Sequence, residues 1–564
     1  MQSADVQSIQ PAAGDRLAAA FERFADWLAS SRVASVAAIV VVGMACFLPG
    51  FFMLPPLDGD EPAYAVAARE MIATGDYATV RLQTENAEWR PRGAYWIEAI
   101  AAALAGGDPP IWVYRLPSLA GAFAASLLTW WTMMAFGRPR AALLAGLFTC
   151  GAGVLCLQAR LAAPDAILLA AIMLSAGSLA RIWLSRGAQG TDLATGLFWT
   201  GLAVAVLVKG IIGPAVIGTA ILVLVIERGE AAWLKGLQPA LGVPWFLLLI
   251  SPWLIAVLLA FLQGTEGGPS QEFLARIGVP FSLSAPPGTY ALLVPLLAGP
   301  AVTYLFLALR WMIEDLRQPV ILFSLAIGAP LWFGAELLTA KMPQNVLPSI
   351  PAIAMLAAAS VDAGTARITG KISWFYSLGP LVWPPAIAIA APLAFYFLEG
   401  TFPWFAFAAF CVAAVLGPIT WRWLHRDRMV ASAMMSVVTV VFIYLGVFGA
   451  ILPAFNSIRV GERVGEVAVP CANPDYAVTG HPEESMVLAL GRGTRLVDAW
   501  AAADFLNSAG CRVAAVDRSQ IGSFRQRADD LGLAVVDVAQ VQGFNPRKMR
   551  SVEIHLFLAE GALR

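Results

Sequence analysis

Thirteen apolar stretches, each near the roughly 20 residues that a helix needs to cross a bilayer, follow one another along this chain with short breaks between them. They lie near residues 33–54, 111–136, 140–158, 162–182, 193–209, 211–227, 239–262, 288–311, 319–338, 344–361, 375–398, 402–423 and 429–452. A single soluble core stops growing at roughly 250–300 residues. A chain of 564 residues that is 59% hydrophobic and 13% charged therefore reads as a polytopic α-helical membrane protein, whose backbone polar groups are satisfied within each helix.

Loop charge orients it, because cytoplasmic loops collect Lys and Arg. Arg16, Arg23 and Arg32, then Arg138 and Arg140, Arg181 and Arg186, Arg228 and Lys235, Arg310 and Arg317, Arg367 and Lys371, and Arg422, Arg426 and Arg428 all fall on the side of the N-terminus. Residues 1–32 read as a cytoplasmic amphipathic segment rather than a cleavable signal peptide, with the first span as the anchor. An odd number of spans places residues 453–564 on the periplasmic side of a bacterial inner membrane. A net charge of −1 offers no basic field for nucleic acid.

Within the membrane domain, 33–452, two outer loops are too long to be plain connections: 55–110 and 263–287. The first contains two runs with helical apolar spacing, one through Tyr64, Ala67, Ala68, Met71 and Ile72, the other through Tyr95, Ile97, Ile100 and Leu104. Both predict helices lying along the interface. Residues 453–564 alternate strand-like runs (DYAVTG, SMVLALG, CRVAAVD, LAVVDV, SVEIHLFLA) with helical ones, which predicts a small α/β domain. Cys471 and Cys511 lie in this polar portion and are disulfide candidates in an oxidising compartment, whereas Cys46, Cys150, Cys156 and Cys411 read as small core residues.

The chemistry-bearing residues gather at the outer face. Asp58, Asp60 and Glu61 stand within four positions of one another, just before the first interfacial helix. Helix capping accounts for such carboxylates. So does a general base that takes a proton from an acceptor, and the Asp58–Asp60 spacing suits a divalent cation. Arg90, Arg92, Lys209, Arg276 and Lys341 supply cations for a phosphate. Lys209 sits in an apolar run, where an unpaired ammonium costs about 2.5–3.5 kcal/mol. It is expected to face a cavity or a carboxylate, with Asp165 the natural partner and Arg160 nearby; a plain turn lysine and a local ion pair are the structural alternatives. His481, Glu483 and Glu484 read as a solvated loop.

Asp60-Glu61 with Tyr64-Ala65, Arg69-Glu70-Met71 and Gly75-Asp76 resembles the first outer loop of the aminoarabinose lipid A transferases and related undecaprenyl-phosphate sugar transferases, a group akin to the protein O-mannosyltransferases. Arg90-Pro91, Gly93-Ala94-Tyr95-Trp96, then Asp165, Lys209-Gly210 and Lys341 through Leu347-Pro348 and Pro351 follow in the family's order. The resemblance implies a GT-C fold and an inverting transfer, with or without a metal ion. It makes Asp60, with Glu61, the catalytic carboxylate site, Asp165 and Lys209 its network, and Arg90, Arg92, Arg276, Lys341, Tyr64 and Tyr95 contacts for the carrier. Arg90 stands where the family commonly has Lys, Trp89 where it has Glu, and Asn345 where it has Tyr; Glu88, beside Trp89, is the residue that would compensate, which makes Asp58, Asp60 and Glu88 the metal candidates the resemblance implies. The partners implied are a polyprenyl-phosphate sugar donor, membrane lipids, and an acceptor such as lipid A or another envelope glycoconjugate. A lipid transporter or flippase is the rival, but it calls for midplane charges and repeat symmetry, and the ionisable residues here collect at one face without a duplicated half.

Overall fold

A computed structural model describes residues 13–56, 58, 60–83, 91–106, 109–187, 192–262, 283–338, 340–471, 473–545 and 550–563. Helices α1 (Ala13–Ser30) and α2 (Arg32–Phe47) lead into two shorter helices, α3 (Asp60–Thr74) and α4 (Gly93–Ala105). The bundle continues with α5 (Ile111–Met134), α6 (Pro139–Cys150), α7 (Gly153–Gln158), α8 (Asp165–Leu184), α9 (Asp192–Lys209), α10 (Ile212–Arg228) and α11 (Pro239–Leu262). Later spans include Pro319–Leu337, Gly379–Glu399, Trp404–Leu424 and Met429–Gly446.

All thirteen apolar stretches contain helix, but among the described residues nine helices are long and apolar enough to cross a membrane, or ten if the bent α1–α2 pair counts as one span. Stretch 140–158 breaks between α6 and α7, and 288–311 splits into Thr289–Ala298, Ala301–Leu307 and Leu309–Glu314. The two breaks meet. Gly299 has φ of 59°, and a methyl group there would stand 2.3 Å from the Gly151 carbonyl oxygen. Only glycine permits both the left-handed backbone and that approach, and Tyr444 donates its hydroxyl to the same Gly151 carbonyl at 2.7 Å. Hydropathy alone does not register such a crossing.

Polar contacts sort the loops onto two ends of the bundle. Helix α1 turns 117° from α2 and pairs Asp15 with Arg426, Glu22 with Arg428 and Asp26 with Arg140 at 2.9, 3.0 and 3.2 Å. Arg140 also reaches Asp362 at 2.8 Å. The arginine-bearing loops at 138–140 and 426–428 therefore share one end with α1. The opposite end carries α3, α4, the turn before α8, and the C-terminal domain.

That domain has a five-stranded sheet in the order β4-β3-β5-β7-β6, with β3 (Asp475–Thr479), β4 (Arg495–Leu496), β5 (Arg512–Asp517), β6 (Val535–Asn545) and β7 (Arg550–Ala559). Here the strands are numbered after a two-residue pair in the membrane domain, β1 (Leu283–Ser284) and β2 (Ala340–Lys341). Alternation along β5 sends Val513 and Ala515 into one core and Ala514 and Val516 into the other, as the two-residue strand period requires. Cys471 and Cys511 are disulfide-bonded, with Cα atoms 5.8 Å apart. The run SMVLALG is not a strand: Glu484–Leu490 is helical. Short apolar runs are ambiguous in period, and here docking against α3 favours the helix. Helix α3 is accordingly no simple interfacial helix. It is buried on most sides, Arg69 included, because Glu484–Leu490 covers the face that would otherwise meet water. Helix α4 keeps Ile100 and Leu104 exposed.

Candidate active site

Arg115 of α5 organises the end of the bundle opposite α1. Its guanidinium, fully buried, grips Glu61 through both oxygens at 2.6 and 3.1 Å. It also donates to the carbonyls of Phe51, Leu54 and Pro55, which fastens the exit of α2 to the start of α3. Glu61 Oε1 further accepts the Ala162 amide at 3.1 Å. Three residues after Arg115 and on the same face of α5, Ser118 donates to the Ala163 carbonyl at 2.7 Å. The turn that leads into α8 is thus held by α5 and α3 together.

Asp165 opens α8 at the end of that turn, and Lys209 Nζ, at the last residue of α9, lies 2.5 Å from its Oδ1. Asp165 is buried, whereas Lys209 stays about a third exposed; an ammonium has three donors, so this pairing leaves it capacity toward the outer surface. Helix α4 is seated on α9: a methyl group at Gly93 would stand 2.6 Å from the Leu207 carbonyl oxygen. Pro91 adjoins Gly210 on the same basis, so the Pro91–Gly93 corner, including buried Arg92, lies beside the Lys209 turn. Tyr64 of α3 and Tyr95 of α4 stack with centroids 4.6 Å apart, and Tyr64, four residues after Asp60, shares its helix face.

The geometry gives several of these residues protein partners. Both Glu61 oxygens are engaged by Arg115, and Oε1 also by the Ala162 amide. Arg160 does not pair with Asp165. It is fully buried, donates to the carbonyls of Pro49, Cys156 and Cys46, and lies over the Phe448 ring at 4.1 Å. Lys341 caps the helix Pro319–Leu337, donating to Ala335 O at 3.0 Å and to Glu336 O, with Glu336 Oε2 at 3.4 Å and the Tyr290 ring at 5.1 Å. Unpaired terminal carbonyls attract a cation there. His481, Glu483 and Glu484 form no solvated loop; all three are buried, because the segment is pressed against the first outer loop.

Ser485 Oγ donates to Asp58 Oδ1, and His481 Nε2 stands 3.3 Å from its Oδ2. Among the described residues no three His, Cys, Asp or Glu side chains converge as a metal would need, and Glu88 lies outside the described residues, as do Arg90 and Arg276. Asp60 alone of the three clustered carboxylates remains exposed, in the first turn of α3.

The sequence reading missed Arg115, Ser118 and Glu98. An arginine inside an apolar stretch is the signal that marks Arg115. Glu98 of α4 is fully buried, and among the described residues neither carboxyl oxygen has a hydrogen-bond partner. Burial, then the nearby Glu61 charge, pushes it well above the usual carboxylate range. An apolar cavity of about 410 Å³ opens between Thr289–Ala298, Gly379–Glu399 and Met429–Gly446, lined in part by Leu292, Leu296, Trp383, Pro384 and Ile443. Tyr290, near the start of the first of these helices, bonds Met342 O and receives Asn345 Nδ2.

Residues 58–264, which hold Asp60, Asp165 and Lys209, match the dolichyl-phosphate-mannose-protein mannosyltransferase family. An undecaprenyl phosphate-alpha-4-amino-4-deoxy-L-arabinose arabinosyl transferase of Aeromonas salmonicida is 28% identical over 362 residues, 61% of this chain and 65% of that protein. The crystal structure of ArnT from Cupriavidus metallidurans in the apo state covers 93% of this chain and 97% of its own with a TM-score of 0.69 at 20% identity. The same protein bound to undecaprenyl phosphate gives the same coverage and TM-score at 19% identity. The chain is a multi-pass membrane protein with the GT-C fold, and it resembles the aminoarabinose lipid A transferases.

Proposed function

We propose that the chain is an inverting glycosyltransferase that moves a sugar from a polyprenyl-phosphate donor of the undecaprenyl type to an acceptor at the outer face of the bacterial inner membrane, lipid A or another envelope glycoconjugate. One observation carries the reading. Of the three clustered carboxylates, Asp58 and Glu61 are engaged by protein partners and Asp60 is left exposed, at the end of the bundle where Glu61 also binds the turn before the Asp165–Lys209 pair. A base and a cation on one side of the membrane are what transfer from a phosphate carrier needs.

In this mechanism the acceptor oxygen attacks the anomeric carbon while Asp60 takes its proton. The bond from that carbon to the carrier phosphate breaks, and its electron pair leaves with the phosphate. Lys209, oriented by Asp165, and Arg92 offset the charge on the departing phosphate. The apolar cavity and its neighbour Tyr290 suit an isoprenoid tail entering from the lipid. No step is routed through a metal. The arginine-rich end that holds α1 is cytoplasmic in this reading and the C-terminal domain periplasmic, in accord with the distribution of basic residues.

Purified protein supplied with a polyprenyl-phosphate sugar and an envelope lipid acceptor tests this. Asp60→Asn should abolish transfer while the protein stays folded, and Lys209→Ala should lower kcat roughly 100-fold or more, as loss of a transition-state charge contact does. Full activity in the Asp60→Asn protein removes the mechanism. Mass spectrometry of envelope lipids from cells with and without the chain then identifies sugar and acceptor.

A further inference from the structure

We infer that the C-terminal domain is part of the catalytic machinery, acting through Asp58: the domain grips this carboxylate and so positions Asp60, two residues later. The inference rests on the glycosyltransferase reading for its chemical meaning, although the grip itself is visible without it.

The domain reaches the first outer loop at separate points. Arg69 donates to the Val487 carbonyl at 3.0 Å, Arg492 pairs with Glu70 through both oxygens at 3.0 and 3.2 Å, and Gln83 exchanges hydrogen bonds with Glu484, Thr494 and Leu496. These hold the far end of α3 and the strand-like segment after it. Asp58 is the contact at the near end, where the chain turns from α2 into α3. Its Oδ1 accepts the Ser485 hydroxyl, its Oδ2 lies 3.3 Å from His481 Nε2, and the side chains of both Asp58 and His481 are almost wholly enclosed.

A carboxylate enclosed this way is expensive to bury unless its partners fix it. Three residues farther along, Glu61 is fixed from the other side by Arg115 of the membrane domain. Asp60 therefore stands between two buried anchors, one supplied by each domain. Its own side chain makes neither contact and is exposed, so its position is set by the backbone that the anchors hold. Misplacement by about 1 Å from a remote change can lower a rate roughly 100-fold, which is the scale of effect such an anchor exerts.

The test uses the full-length protein and three variants. Asp58→Ala removes both contacts and should lower kcat roughly 100-fold with KM for the donor unchanged. Asp58→Asn retains an oxygen to accept the Ser485 hydroxyl and should recover most of that loss. Glu70→Gln weakens docking of the domain without touching Asp58 and should change kcat by less than about twofold, as expected for a half-exposed ion pair. Hydrogen exchange of the 58–63 backbone, read by mass spectrometry, should rise in Asp58→Ala and not in Glu70→Gln. If Asp58→Asn is as inactive as Asp58→Ala, the carboxylate charge itself is needed and positioning is overturned. If exchange at 58–63 is unchanged in Asp58→Ala, the anchor is overturned whatever the activity. Full activity in Asp60→Asn, by contrast, removes the transfer mechanism while leaving the exchange result standing.

Discussion

The two ends of the bundle handle charge in opposite ways. At the α1 end the pairs Asp15–Arg426, Glu22–Arg428 and Asp26–Arg140 keep both partners a quarter or more exposed. At the other end Arg115 and Glu61 are 0% and 3% exposed, Lys341 and Glu336 are 2% and 11% exposed, and Glu98 is sealed without a hydrogen-bond partner among the described residues. Exposed pairs contribute little and are screened by salt. Buried charges are costly to desolvate and destabilising to orphan. The first kind tethers α1; the second holds a chain of loops in one geometry. That a membrane protein keeps so many enclosed charges at a single end marks this end as the place where geometry matters.

The largest test of this contrast is Arg115→Ala. It strands Glu61 and three carbonyls, and removing one member of a buried pair costs about 3–5 kcal/mol. Little folded protein should be recovered, judged by yield and by thermal unfolding in detergent. An intermediate effect is expected at Glu98, whose folded carboxyl holds a proton that the unfolded chain gives up above about pH 4.3. Stability is therefore fully present below that pH and falls as pH rises through the window up to the raised folded value. Glu98→Gln should flatten this slope, so that thermal unfolding followed from about pH 4 to about pH 8 separates the two proteins increasingly toward high pH. The smallest effect belongs to Arg428→Ala, at most about 1 kcal/mol and smaller in high salt. If Arg428→Ala proved as damaging as Arg115→Ala, the contrast between the ends would fail.

Much of the membrane architecture was legible because it rests on local rules. Every expected span contains helix, as twenty apolar residues with no water to satisfy their backbone must. The C-terminal α/β character was readable from period-two alternation in runs such as Arg512–Asp517. The candidate site was legible in part. Asp165 and Lys209 meet because an ammonium in an apolar run needs an anion, and that requirement can be stated without coordinates. Lys341 looked equally suited to a phosphate, yet the carbonyls at the end of Pro319–Leu337 claim it, and nothing local to Lys341 announces where that helix end will lie.

By itself, then, the amino-acid sequence determined that the chain lies in a membrane as helices, that its basic loops share an end, and that carboxylates and cations collect at the other. These follow from solvent and from spacing along the chain. Tertiary structure decided which of those charges are free to act. Asp58, Asp60 and Glu61 are nearly equivalent in sequence, and they part only when Ser485, 427 residues after Asp58, and Arg115, 54 residues after Glu61, each close on a neighbour of Asp60. Contacts of that range depend on how helices and domains pack, and packing, unlike hydropathy, is a property of the whole fold.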